Sequence, residues 1–260
     1  TVNVDGVERP TLNSEGKPIY PTEEGIRNFW KWFGDGYLVD TKGKPYTFYH
    51  QTSKEAASSI YKEGFRTDLP RARESDPRVP DGVFLKPNDS NIGVGSADEK
   101  NIEQIPLYLN IKNPFIVQSA EDIAGTLKDQ DYTELLDSYE EADKKLSEEF
   151  DKKWAVKAAD REAFKKFADE YFPRANQVLA DIAKRARERL TEVLLEKGYD
   201  GVIISKDRGS FGRSTKTIVA LGTDQIKSAI GNNGDFSGSA NILEQGGENQ
   251  QPTNPLPPGA

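Results

Sequence analysis

The sequence predicts an α+β domain, and two observations carry that prediction. Short runs rich in β-branched and aromatic residues, YTFYHQT, GVFLK, IPLYLNIK, YDGVIIS and TKTIVAL, are bounded by Gly, Pro, Asn and Asp in the manner of strands. From about Asp131 to Lys197 the pattern changes to a 3.6-residue period, with Leu135, Leu146, Phe150, Trp154, Phe164, Phe167, Ile182, Leu190 and Leu194 set among alternating charges. That is the pattern of amphipathic helices. A length of 260 residues suits one large domain, or one domain carrying a sizeable insertion.

Taken in order, residues 1–21 are rich in Gly, Pro, Asn and charge and read as an extended arm or linker. PTEEGIRNFWKWFGDG then carries helix-start signals, with Thr22 ahead of Glu23 and Glu24 at the positive end of the helix dipole. Ile26, Phe29, Trp30 and Phe33 recur at spacings of three and four and form a core stripe, and Gly34 and Gly36 end the helix. YTFYHQT is a strand that puts Phe48, His50 and Thr52 on one face. Ser53 caps a helix over 54–63 that packs through Ala56, Ala57 and Ile60 and stops at Gly64. Residues 67–81 hold three prolines and form a loop; GVFLK, IPLYLNIK and FIV follow as strands.

The stretch 131–197 reads as an inserted helical hairpin or cap, interrupted at Pro173. Gly198 closes it, YDGVIIS and TKTIVAL return to strands joined by the loop KDRGSFGRS, and DQIKSA is a short terminal segment. The domain therefore spans 22–236, and 237–260, poor in apolar residues, is expected to be disordered.

Composition excludes several classes of function. Without cysteine there is no disulfide, thiolate metal site or cysteine nucleophile, and one histidine cannot build a His-rich metal centre. A net charge of −8 argues against nucleic-acid or membrane binding through the overall field. No run approaches the eighteen or so apolar residues of a membrane span, and the N-terminus lacks the basic and apolar regions of a signal peptide. The chain contains no methionine, which reads as a piece excised or processed from a longer protein. His50, the single imidazole, is either a hydrogen-bonded part of the core or the centre of a site.

The order of strand, His, helix, Gly-x-Arg, loop and Gly-Val-Phe strand resembles ADP-ribosyltransferases of the diphtheria-toxin and poly-ADP-ribose polymerase type. That family carries a His-Tyr-Glu triad on separate strands of a split, mostly antiparallel β-sheet. His50-Gln51-Thr52 matches its first motif, with Gln51 where the family often has Gly. Gly64-Phe65-Arg66 matches its Gly-x-Arg, and Gly82-Val83-Phe84-Leu85 its Gly-Ile-Tyr-Phe, with Phe84 thirty-four residues past His50. A nearer likeness runs through PTEEGIRNFWKWFGDG, YHQT, LYLNIKNP, GYDGVI and DQIKSAIGNNGDF, and is similar to the ADP-ribosyltransferase domain of phage and mobile-element polyvalent proteins.

The resemblance implies that NAD is the substrate and that its ribose–nicotinamide bond breaks through an oxocarbenium-like transition state. In that reading His50 bonds a ribose hydroxyl, the Gln51 backbone holds the nicotinamide amide, and Thr52 adds a hydroxyl. Phe84 stacks on nicotinamide, and Arg66 reaches the adenosine or phosphate portion. Thr217 stands at the position of the family's Glu; it can hydrogen-bond a ribose but cannot act as a base or offset positive charge. Asp207, on the loop leading to the same strand, is the candidate carboxylate. The second aromatic of the nicotinamide stack is absent from NDSNIGVGSADEK, and Tyr108 replaces it only if strand pairing brings it to the pocket. Lys206, Arg208, Phe211 and Arg213 make the loop 205–214 basic and aromatic, suited to an acidic protein patch or a nucleic-acid phosphate, or else simply an ordinary turn.

The implied activity is mono-ADP-ribosylation of an unidentified protein or nucleic acid, away from any membrane, in the cytoplasm of a bacterial host, with delivery alongside a phage virion one route there. A silent NAD- or ADP-ribose-binding or scaffold module, and an NAD glycohydrolase, are the alternatives.

Overall fold

A computed structural model describes residues 1–66, 76–87, 101–157, 160–208 and 214–243. The chain divides into two units, one from Thr1–Asp68, Gly82–Ser119 and Gly198–Ala260, the other from Leu69–Asp81 and Ala120–Lys197.

In the first unit, β1 (Val2–Val4) and β2 (Val7–Arg9) pair as a hairpin. Asp5 and Gly6 both take positive φ, 50° and 87°, as a two-residue hairpin turn demands. The expected extended arm is thus a folded element there, because Val2 and Val4 bury against the aromatic stripe of α1 (Glu23–Phe33). Thr22 Oγ1 accepts from Gly25 N at 3.2 Å and caps α1. Ile26, Phe29, Trp30 and Phe33 are all buried, as their spacing predicts.

β3 (Phe48–Ser53) runs into α2 (Lys54–Glu63), where Ser53 Oγ accepts from Ala56 N. Ala57 is fully buried and Ile60 partly so, but Ala56 faces solvent rather than the core. Then come β4 (Val83–Pro87), β5 (Ile102–Leu109), β6 (Pro114–Val117), β7 (Gly201–Arg208), β8 (Ser214–Ala220) and β9 (Ile226–Ser228). Together with β3 they make a seven-stranded sheet in the order β6-β7-β8-β4-β3-β5-β9, antiparallel except for β6 beside β7.

The sheet is split in its middle. β3 pairs with β5 along all six of its residues, and β4 pairs with β8 through Val83, Phe84 and Leu85. Between β3 and β4 the described residues form two rungs, Phe48↔Pro87 and Tyr49↔Lys86. One face of both halves, with Phe48, Ile105, Leu107, Val83, Leu85, Ile203 and Ile218, packs into a single apolar cluster.

Residues 237–243, expected to be disordered, are folded against this unit. Ser228 N donates to Ile242 O at 2.9 Å and Asn233 N to Leu243 O at 2.9 Å, so the segment covers the exposed edge of β9. Ile242 and Leu243 join the apolar cluster, and Lys227 Nζ, fully buried, donates to Ser239 O (2.6 Å) and Asn241 O (3.1 Å). The rest of the expected tail, 244–260, lies outside the described residues.

The second unit contains α3 (Asp122–Leu127), α4 (Gln130–Lys157) and α5 (Arg161–Glu196). It therefore begins earlier than residue 131 and also takes in 76–81: Tyr132 Oη donates to Pro77 O at 3.2 Å, and Arg187 pairs with Asp81 at 3.2 Å. Asp129 receives two bonds from Arg189 and one from Tyr132 N, tying the start of α4 to α5. Pro173 does not interrupt α5. Its lost backbone bond, about 3 kcal/mol in a helix interior, is offset by packing on both sides of it: Phe167, Tyr171 and Ala175 are buried against Leu146, Phe150 and Phe164.

Two predictions follow from the packing of the 237–243 segment. Gly64, at φ 83° and ψ −177°, ends α2 where an added Cβ would lie 2.4 Å from Ala240 O. Gly64→Ala should cost about 1–3 kcal/mol in urea denaturation and expose 237–243 to limited proteolysis. Burial lowers the Lys227 ammonium to about 8 from its ordinary 10.5. Between those values the unfolded chain holds a proton that the folded one lacks, so stability rises with pH. Tyr108, pushed up to about 12 by burial, reverses the slope only above its unfolded value of about 10. Denaturation midpoints should climb from pH 8 to about 10, by on the order of 2 kcal/mol, and Lys227→Met should flatten that rise.

Candidate functional site

The site is built at the point where the sheet parts. Past Tyr49, β3 continues its pairing with β5 through Ser53, while β4 pairs with β8 through Val83, Phe84 and Leu85, so the two strands part there. His50 is the first residue beyond the last shared rung. Its Nδ1 lies 3.1 Å from Phe84 O across the gap. A carbonyl oxygen can only accept, so the ring nitrogen facing it is the one that donates. The Phe65 ring meets the imidazole edge-on at 5.0 Å, which fixes its plane. Phe65 in turn is held by the Gly64 turn at the end of α2.

The structure thus brings His50 and Phe84 together, but through the Phe84 backbone. The Phe84 ring leaves its strand on the face opposite Val83 and Leu85, whereas His50 shares a face with Phe48 and Ile105. Gly82 lets β4 begin tightly against β8, since a Cβ there would fall 2.5 Å from Ala220 O. Thr217 is buried, opposite Ile204 in β7, on the same side of β8 as Val219, the partner of Phe84. It is two strands from β3, about 10 Å at the usual strand spacing. One further step of the β4–β8 register sets Lys86 in its row.

Thr52 stands opposite Glu103 of β5. Gln51 stands opposite Gln104, and its Oε1 is buried with no partner among the described residues. Arg66 is exposed and ends a described segment. Asp207 is a strand residue rather than part of a loop: after an irregularity past Ile204, the β7–β8 ladder resumes at Asp207↔Thr215 and Arg208↔Ser214. Its strand is three from β3, about 14 Å. Lys206 also belongs to β7, while Phe211, Arg213 and the NDSNIGVGS stretch fall outside the described residues.

Tyr108 does not reach this site. It alternates with Leu107 and Leu109 onto the other face, packs on Phe29 of α1, and receives Asn13 Nδ2 at 3.2 Å.

Two polar contacts near the gap went unread in the sequence. Tyr49 Oη donates to Glu15 Oε1 at 3.0 Å, on the face away from His50. On the His50 face, Tyr61 of α2 donates its hydroxyl to Glu103; burial and then that carboxylate push the phenol well above its ordinary value. The signal for Glu103 was present in NIEQIPLYL, where an acid falls in phase with Ile105 and Leu107.

Among the described residues no cluster of His, Asp or Glu could hold a metal ion, and no helix is long and apolar enough to cross a membrane. A family model described as ADP-Ribosyltransferase in polyvalent proteins matches residues 40–236. No curated protein and no solved structure matches the chain.

Proposed function

Starting from the fact that the chain belongs to the family of ADP-ribosyltransferases in polyvalent proteins, we propose that it transfers single ADP-ribose units from NAD to a protein or nucleic-acid acceptor of a host cell. The observation that carries this reading is His50 at the parting of the two half-sheets, with Nδ1 committed to Phe84 O. In the neutral form of an imidazole that donates from Nδ1, Nε2 is the nitrogen able to accept from a ribose hydroxyl. Thr52, two residues on, adds a hydroxyl on the His50 face of β3. In this reading the dinucleotide threads the gap, with the Phe84 ring on its far side as the nicotinamide platform, worth on the order of 1 kcal/mol.

One observation favours a second reading. Thr217, buried in the row of Lys86, supplies no negative charge where the reaction develops a positive one. A module that binds NAD or ADP-ribose without cleaving it is consistent with that. An NAD glycohydrolase uses the same gap with water as acceptor.

Calorimetry with NAD tests the common core of these readings. The wild type should bind, and His50→Ala should weaken binding by about 1–3 kcal/mol, the cost of a lost buried hydrogen bond. Absence of binding at millimolar NAD would remove the whole reading. Nicotinamide release, measured with and without a bacterial lysate, then separates the three. Release that needs the lysate means transfer, release without it means hydrolysis, and binding without release means a silent module.

A further inference from the structure

The transferase reading leaves a gap in the chemistry. The ribose–nicotinamide bond breaks with its electron pair going to the nicotinamide nitrogen, and C1′ of the ribose is left cationic. The acceptor's lone pair then forms the new bond to C1′ and its proton passes to water. A carboxylate near C1′ lowers that barrier because it is attracted more strongly to the transition state than to NAD. Thr217 has none, and Asp207 stands three strands away. Glu15 lies on the wrong face, bonded to Tyr49.

We infer that Glu103 supplies this carboxylate, resting on the reading of the gap as an NAD site. Three features of the structure carry the inference. Glu103 is directly opposite Thr52 on β5, and His50 is opposite Ile105, so the two side chains leave on one face as diagonal neighbours. Diagonal pairs lie about 7–8 Å apart, a span that one furanose ring with adjacent hydroxyls can bridge between an imidazole and a carboxylate. The residue is half-buried, at a register position shared with core side chains, where an acid without a task is costly. Tyr61 holds the carboxylate from the side of α2 and leaves it further acceptor capacity. Phe65, one turn farther along the same side, fixes His50. The helix after β3 thus positions both polar groups of the site at once.

Glu103→Gln is nearly isosteric and keeps a hydrogen bond from Tyr61. Its NAD affinity should stay within about three-fold of wild type, while nicotinamide release falls by about 10²–10³, the usual effect of removing one preorganised charge-stabilising group. Glu103→Asp should retain more release than Glu103→Gln, since it keeps the charge. Adding Thr217→Glu to the Glu103→Gln variant should restore release at least about ten-fold, because a carboxylate returns to the gap from the other half-sheet. Circular dichroism and NAD binding establish that each variant is folded. If the wild type turns over NAD and Glu103→Gln does so within about three-fold of it, Glu103 loses this role and the transferase reading stands. A wild type that binds NAD and releases no nicotinamide also overturns the role, in favour of the silent module. A wild type that does not bind NAD overturns the transferase reading itself, and this role with it.

Discussion

Everything at the candidate site follows from how little joins β3 to β4. Two rungs, Phe48↔Pro87 and Tyr49↔Lys86, hold two half-sheets that are otherwise each complete: β3 on β5 and β9, and β4 on β8, β7 and β6. An ordinary antiparallel neighbour would continue the ladder along His50–Ser53. Here the ladder stops at Tyr49, and the apolar cluster on the shared face, rather than further backbone bonding, keeps the halves together. Unpaired strand edges normally invite another chain. In this protein the edge is internal and short, and the imidazole bond from His50 to the Phe84 carbonyl spans its inner end. The same bond that closes the gap at its vertex engages Nδ1 of the ring, so architecture and the placing of the imidazole depend on one contact.

The two sides of that gap differ in charge. On the Phe84 side stand Thr217 and Lys86, on the His50 side Thr52 and Glu103. A positive group beside a developing positive charge raises a barrier, and a negative one lowers it. Under the proposed transfer reaction, the side of the split that the ribose meets therefore bears on whether NAD is turned over or merely bound. His50 and Glu103 leave their strands on the same face, which is why the inferred role falls on the carboxylate of β5 rather than on a residue of β7 or β8.

Much of this was legible in the sequence, for identifiable reasons. The α1 stripe, the Ser53 and Thr22 caps and the Gly64 stop are local rules that tertiary packing did not overrule. The juxtaposition of His50 with Phe84 followed from motif order and spacing. What failed did so through distance along the chain. The Asp5-Gly6 turn between two valine pairs is a hairpin signal, but it was submerged in a polar, proline-containing segment, and the helix it packs on lies some twenty residues later. Pro173 broke a local rule because aromatic packing on both of its sides outweighed one backbone bond. Tyr108 was placed by need rather than by phase; Leu107 and Leu109 already claim the other face of β5. Lys227 could not have been read at all, because the carbonyls it binds belong to a segment whose composition says disorder.

That last contact bears on what the folding unit is. The family match covers 40–236, yet neither face of the β3–β5–β9 half is finished by those residues. One face takes its aromatic cover from α1 and the β1–β2 hairpin, which precede the matched region; the other takes Ile242 and Leu243, which follow it. Buried apolar area stabilises by roughly 25 cal/mol per Å², so stripping a helix that buries Phe29, Trp30 and Phe33 exposes more than a domain's usual margin of 5–15 kcal/mol could readily absorb. The flanks also act on the site. Ala240 stands against Gly64, Gly64 sets Phe65, and Phe65 orients His50. A chain trimmed to the matched region would lose both the cover of its central sheet and the contact that backs its imidazole, so the folding unit is larger than the family segment that names it.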